Sequence, residues 1–562
     1  MLRRRLLAGA LALALVTVAC GGDDDVASPD EQTADDGTAD DGTADPEPTG
    51  DATSDEPTGD DATGDDATGD ATGDDGTTGT SDDGSAGDAD GVLRYPWVAP
   101  TSLDPHKSSI GADKYVLYPM YDRLIHLSPD VEPIPGLATA WEFSDDGTYL
   151  ELQLREGVVF QDGEPFDAEA VKANIERGQS LEGSSVAGNL AVIESVEVID
   201  PMTVRFNLTG PAASLPITLA NQPGMMISPA ALDNADLDQN PVGAGMYRPT
   251  SYEPGVKLTL EAWDEYWDQD AQQLAGMEIS IMPDFTARLN ALRDDQLDAA
   301  RLEPAQASEA EAAGLQVLAQ ESIEIGMLSL NRAKAPLDDV RVRQALNHAI
   351  DREAIVDGLF FGLGTPAVQI YPEGFMGHNP DVTVDRYAYD PDRARELLAE
   401  AGLEDGFSME INVAALDFVV AYAEAIQAQL GEIGVDVTVN PVELSQYGQV
   451  VYIDANGEGT AVIGAARPDP SETALQFQPD AFTNPGGASS PEVEALYQQS
   501  LDQTLTADER AAVLEELSAT LVEQAFALVI FHPQNPWAFN DTVTGLQSWK
   551  DTIEFRGVGI SS

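Results

Sequence analysis

Basic residues are scarce in this chain of 562 residues, where 28 Lys and Arg stand against 99 Asp and Glu and the formal charge is −71. A surface this negative repels phosphate backbones and anionic headgroups, which argues against nucleic acid as a partner and against membrane contact through a basic patch. Cysteine occurs once, at Cys20, so no internal disulfide can form. The five histidines (His106, His126, His348, His378 and His532) are too far apart for a His-Glu-x-x-His zinc helix, and neither a metal centre nor a cofactor is expected. A Gly-x-Ser-x-Gly elbow and a Walker loop are missing, and the pair in Gly243-Ala244-Gly245 precedes no helical pattern that would cradle phosphate. Carboxylates are too plentiful for a pair of them to mark a glycosidase-like acid and base, so no enzyme is expected. No apolar run approaches the ~20 residues that a spanning helix needs, so no transmembrane segment is expected in the mature chain.

What is present begins with an export signal over residues 1–20: Arg3, Arg4 and Arg5, a small and apolar run over 6–16, then Thr17-Val18-Ala19-Cys20. Cys20, preceded by Ala19 and followed by Gly21 and Gly22, stands where a lipoprotein signal peptidase would cut, although Thr17 occupies a position where Leu is usual. A diacylglyceryl group on the Cys20 thiol would contribute ~0.8 kcal/mol per buried CH₂ and would be the chain's only hold on a membrane. Residues 21–91 hold 25 of the acidic residues and no Lys or Arg. Such a segment of Asp, Thr, Gly and Ala cannot bury a core, so it reads as a solvated linker spanning about 50 Å or more. Its irregular spacing excludes a calcium-binding solenoid repeat.

The remainder, residues 92–562, keeps 74 acidic against 25 basic residues, still −49, which suggests a protein at work in high salt. Alternation predicts strands at Leu150, Leu152 and Leu154, at Val204, Phe206 and Leu208, and at Val435, Val437 and Val439. Helices are predicted through Val342, Ala345, Leu346, Ala349 and Ile350 behind a cap at Asp338 or Asp339, after Asp390-Pro391 as far as Gly402, and after the Thr506 and Glu509 capping box. The fold class is mixed α/β (α+β).

Specific motifs then follow in order. Leu103-Asp104-Pro105-His106 leads to Tyr121-Asp122-Arg123-Leu124, Gly136-Leu137-Ala138, Trp141 and Asp145-Asp146-Gly147. Next come Leu154-Arg155-Glu156-Gly157-Val158-Val159-Phe160-Gln161-Asp162-Gly163-Glu164-Pro165-Phe166, Asn240-Pro241-Val242-Gly243-Ala244-Gly245-Met246-Tyr247, and Tyr266-Trp267. Asn331 introduces Pro336-Leu337-Asp338-Asp339-Val340-Arg341-Val342-Arg343-Gln344-Ala345-Leu346 and Ala349-Ile350-Asp351-Arg352. In order and spacing this series resembles the bacterial extracellular solute-binding proteins, family 5, the peptide, oligopeptide and nickel receptors of ABC importers.

The resemblance implies two lobes joined by crossing strands around a cleft that closes on ligand. The first lobe is expected at about 92–131, 236–324 and 537–562, a small inserted domain at about 132–235, and the second lobe at about 325–536. The motif residues themselves read as scaffold: Asp162-Gly163 as a hairpin turn, Tyr121 and Trp141 as core aromatics, Arg341 and Arg343 as partners of neighbouring carboxylates. Implied partners are a peptide-like or other small solute and the permease and ATPase of an importer, with the protein itself a monomer. A solute sensor or surface-assembly protein using the same binding head is the alternative.

For the site, the resemblance puts backbone pairing with the ligand on Ser109, Ile110 and Gly111, and cleft-wall positions at Arg301, His532 and Asn535. Peptide-binding relatives hold the ligand's ammonium with an Asp in a Trp-x-x-Asp-x-x-Asp/Glu-Pro segment. Here the matching run is Ile463-Gly464-Ala465-Ala466-Arg467-Pro468-Asp469-Pro470, in which Asp469-Pro470 is kept, Trp becomes Ile463 and the ammonium-binding Asp becomes Ala466. Free peptides are therefore expected to bind weakly. Gly464, Ala466 and Arg467 are site candidates, with Arg467 either lining the cleft for an anionic group or turned to solvent or to Asp469.

Overall fold

The computed structural model describes residues 91–464 and 466–561. The export signal, Cys20 and the acidic segment up to residue 90 lie outside the described residues, as does Ala465.

Local rules place the elements. Leu150, Leu152 and Leu154 point to one buried face of the strand Tyr149–Leu154, as the two-residue period requires. The other two alternating runs form the strands Thr203–Leu208 and Val435–Val442. Asp339 caps the helix Val340–His348 by accepting from the Arg341 N–H, and Asp390 caps Pro391–Glu400 by accepting from the Arg393 N–H. Thr506 and Glu509 form both bonds of the capping box ahead of Ala507–Glu523. One expectation is corrected. Arg341 meets Asp339 in an ion pair of 2.5 Å, but Arg343 takes no carboxylate among the described residues: its guanidinium donates to the carbonyls of Ala525 at 2.9 Å, Leu337 at 2.8 Å and Gln524 at 2.6 Å. The Gln524 and Ala525 carbonyls lie just past the end of the helix Ala507–Glu523, where terminal carbonyls have no helical N–H and attract a cation. Trp141 is half-buried at the edge of a core, whereas Tyr121 is fully enclosed.

Three sheets organise the molecule. The first runs Val92–Trp97, Gly276–Ile281, Lys257–Ala262, Tyr247–Glu253, with only the first pair parallel. A second, fully antiparallel sheet runs Ala138–Phe143, Tyr149–Leu154, Thr203–Leu208, Ile193–Asp200. The third is built on the 13-residue strand Ala527–Phe539. Its beginning pairs with Ile325–Leu330, its middle with Gly364–Pro366, and its end with Gln316–Glu321 and Ala299–Arg301. Beyond Ile325–Leu330 this sheet continues through Gly459–Gly464, Phe407–Ala414 and Val435–Val442. The strand Ala527–Phe539 and the consecutive strands Gln316–Glu321 and Ile325–Leu330 thus carry the chain between a first lobe with core residues Leu93, Tyr95 and Tyr247 and a second lobe with core residues Leu346, Ile411 and Ile426.

The motif segments weld the first lobe together. Gln161 donates to the carbonyls of Met120, Gly245 and Tyr247 at 3.0 to 3.2 Å, and Gly163 turns with φ +88°. A Cβ on Gly245 would sit 2.4 Å from the Met120 carbonyl carbon, so the close approach admits only glycine. The antiparallel sheet reaches the second lobe through Gln503, which donates to the Gly147 carbonyl at 2.7 Å and accepts from the Ala212 N–H at 3.0 Å.

Candidate functional site

The first-lobe wall starts with the loop after His106. Ile110 is extended, at φ −124° and ψ 144°, and among the described residues neither its N–H nor the Ser109 carbonyl has a hydrogen-bond partner. Ser109 and Gly111 are exposed, with open space where a Gly111 side chain would stand. Buried Asp113 holds the loop from behind, accepting from the Thr101 N–H at 3.2 Å and the Ser108 hydroxyl at 2.7 Å. Burial raises its carboxyl above the usual range while those donors lower it. Next to it Lys114 pairs with Asp551 at 2.8 Å, and Tyr115 is buried where the charges of Arg301, Asp551 and Glu324 act on it.

At the crossing strands the structure brings two expected residues together: Arg301 donates to the Asn535 side-chain oxygen at 2.6 Å. Arg301 is half-buried and makes no ion pair among the described residues. His532 is placed otherwise. Its two ring nitrogens face the carbonyls of Glu324 at 2.9 Å and Gln369 at 3.1 Å, so the ring fastens the crossing segment to the second lobe and offers no free nitrogen to a ligand. Burial is the main cause that lowers its pKa to about 4, against the pull of the two carbonyls.

The second-lobe wall carries Gly464 at the end of its strand, with φ +120°, and half-buried Ala466 against an apolar cluster. Arg467 is exposed, and its guanidinium donates to the Ala466 carbonyl at 3.0 Å rather than to Asp469. Asp469 is buried and held by the Arg510 guanidinium at 2.8 and 3.0 Å. Three residues on stands Glu472, which sequence reading passed over. It is half-buried, and no hydrogen bond or ion pair among the described residues ends on its carboxylate. Its pKa is raised to about 7, first by desolvation and then by the charge of Asp469, while Arg467, Arg510 and Lys114 lower it. The signal available was its place at the third position of a short helix behind the Asp469 cap, where a carboxylate ordinarily bonds back to the capping N–H; this one does not.

Two lobes joined by crossing strands, with an open backbone at 109–111 in the first and the charged segment 464–472 in the second, set out a candidate site between the halves. Residues 132–498 match the model of the bacterial extracellular solute-binding proteins, family 5 (middle region). The chain belongs to this family of binding proteins. It is 32% identical over 358 residues to the glutathione-binding protein GsiB of Salmonella paratyphi A, covering 62% of this chain and 68% of that one. It is 31% identical over 371 residues to the dipeptide-binding protein of Escherichia coli K12, covering 58% and 67%. The dipeptide-binding protein from Pseudoalteromonas sp. SM9913, solved in complex with Met-Leu, superposes with a TM-score of 0.68 at 25% identity, covering 84% of this chain and all of that one.

Proposed function

We propose that this protein captures a small peptide-like solute between its lobes and hands it to the permease of an ABC importer, held at the cell membrane by a lipid on Cys20. The carrying observation is that this chain, similar to relatives named for glutathione and dipeptides, holds its own Ile110 backbone open beside charges of both signs. Extended ligand backbone would pair with Ser109, Ile110 and Gly111, which tolerates any side-chain sequence. The Arg301 guanidinium beside Asn535 would meet a carboxylate or carbonyl, with Gly464, Ala466 and Arg467 on the facing wall. In this reading the lobes keep the bounds 92–131, 236–324 and 537–562 for the first and 325–536 for the second, with 132–235 inserted, and the acidic linker sets the head off from the membrane.

Mass spectrometry of the solutes released when the purified protein is denatured tests the ligand class. Short peptides or γ-glutamyl peptides are expected, and a consistent yield of sugars or metal chelates alone would sink the reading. Cys20→Ser tests the anchor: the variant should leave the membrane fraction or remain unprocessed.

A further inference from the structure

Ala466 leaves the segment 463–470 without the carboxylate that a free amino terminus needs, but the acids around it are not equivalent. Asp469 is engaged by Arg510 and by the Ser471 N–H, Asp551 by Lys114, and Asp113 by Thr101 and Ser108. Glu472 has none of these partners. Its side chain is shielded enough to be pushed up to about 7 yet remains partly open to solvent, as a group lining a narrow cleft would be. Lys114 stands on the first lobe and its charge acts on Glu472, so this second-lobe carboxylate lies within electrostatic reach of the other lobe. Part of its desolvation cost is present before any ligand arrives, and an incoming ammonium would meet a carboxylate on which no hydrogen bond or ion pair among the described residues ends.

We infer that Glu472 is the carboxylate that receives the ammonium group of the solute, in place of the residue lost at Ala466. This rests on the peptide-like reading and narrows it to solutes with a free primary ammonium, short unblocked peptides foremost, reversing the expectation drawn from Ala466 alone. Binding would favour ionised Glu472, so affinity should climb with pH up to about 7 and fall again above ~8, where the peptide's own amino group loses its proton. The charged groups facing Glu472 are Asp469, Arg467, Arg510, Lys114 and Tyr497. Tyr497 is pushed up to about 12, chiefly by burial, and the Lys114 ammonium is raised by Asp551 despite its burial, so neither titrates in that window.

Calorimetry on the mature protein, with di- to tetrapeptides each in free and N-acetylated form, tests the assignment. Free members should bind, and Glu472→Gln should weaken them roughly 30-fold or more while leaving any binding of the acetylated twins within about threefold. The same variant should lose the acidic limb of the pH profile. Glu324→Gln, which alters another half-buried acid near the crossing strands, should shift free peptides by less than about threefold. Unchanged binding of free peptides to Glu472→Gln, an equal loss for both members of a pair, or a larger loss with Glu324→Gln overturns the inference. Preference of the wild-type protein for acetylated twins overturns it and leaves the peptide-like reading standing. Binding of no member of any pair overturns both.

Discussion

The two lobes differ in how they stabilise most of their buried charge. In the first lobe and its inserted domain, charged partners prevail: Arg177 forks onto Asp104 at 3.1 and 2.6 Å, Arg123 meets Glu554 at 2.7 Å, and Asp122 gathers His126, the Tyr266 hydroxyl and the Trp267 N–H, while Arg288 is the exception, donating to the carbonyls of Met282 and Arg301. In the second lobe three buried arginines rest mainly on backbone carbonyls. Arg332 donates to those of Leu330, Phe526 and Ala488, Arg343 to those past the end of Ala507–Glu523, and Arg352 to those of Ala367, Val529, Asn347 and Tyr387. The consequence is a difference in how tightly the guanidinium groups hold their protons. The Arg123 guanidinium is raised by Glu554 despite its burial, whereas desolvation lowers Arg332 to about 9 and Arg352 to about 10. Carbonyl dipoles satisfy the geometry of a guanidinium without cancelling its charge. Asp469 pairs with Arg510 inside the second lobe, three residues before Glu472, on whose carboxylate no partner is found among the described residues.

Removing one partner of an ion pair should separate the lobes most. Arg123→Met leaves Glu554 buried and alone, and should cost about 3 to 5 kcal/mol in urea unfolding, with Arg123→Met combined with Glu554→Gln recovering at least half of it. No recovery in the double variant would mean that the pair matters for its packing rather than its charge.

Acid should come next in size and strike both lobes. Burial holds His106 in the first lobe and His532 at the second each at about 4, below the ordinary 6.5. Between those values the unfolded chain takes up protons that the folded one refuses. Stability is therefore full above pH 6.5 and falls as pH drops toward 4, by an amount on the order of 3 kcal/mol per residue. His532→Gln should flatten that part of the pH–stability curve; an unchanged curve would show that the ring titrates alike in the folded and unfolded chain, and a steeper fall toward acid in the variant would show that the two carbonyls keep the ring protonated.

Arg352→Met should be milder than Arg123→Met, about 1 to 3 kcal/mol, because lost hydrogen bonds are partly offset by removal of an uncompensated buried charge. Equal costs for the two would erase the contrast between the lobes. The smallest effect per group concerns the surface. Raising KCl from about 0.1 to 2 M should lift the melting temperature of the wild-type head by screening its −49 charge, and should leave the difference between Arg123→Met and Arg352→Met nearly unchanged, since buried pairs are screened little.

Much of the frame was legible because it is written in short-range code. The caps at Asp339, Asp390 and Thr506 act within three residues of themselves, and the alternation that gave Tyr149–Leu154 is a property of the strand alone. The Gln161 and Gly245 motifs were legible as a resemblance, and their reason, three carbonyls gathered by one amide, emerged only when segments 84 residues apart met. Arg343 misled for the same reason: acids at Asp338 and Asp339 are its neighbours in sequence, but its helix delivers the guanidinium to carbonyls some 180 residues away.

By itself the sequence determined the family, the order of elements, the acidity, and the loss of a carboxylate at Ala466, because these depend on residue identity and on neighbours within a turn or a strand. Tertiary structure alone decided which charges remain available. Asp469 and Glu472 sit three apart in one segment, yet the first is neutralised by Arg510 from a helix 41 residues on, while the second is left half-shielded with no partner among the described residues. Charge compensation falls off over a few ångströms, and sequence separation does not measure that distance.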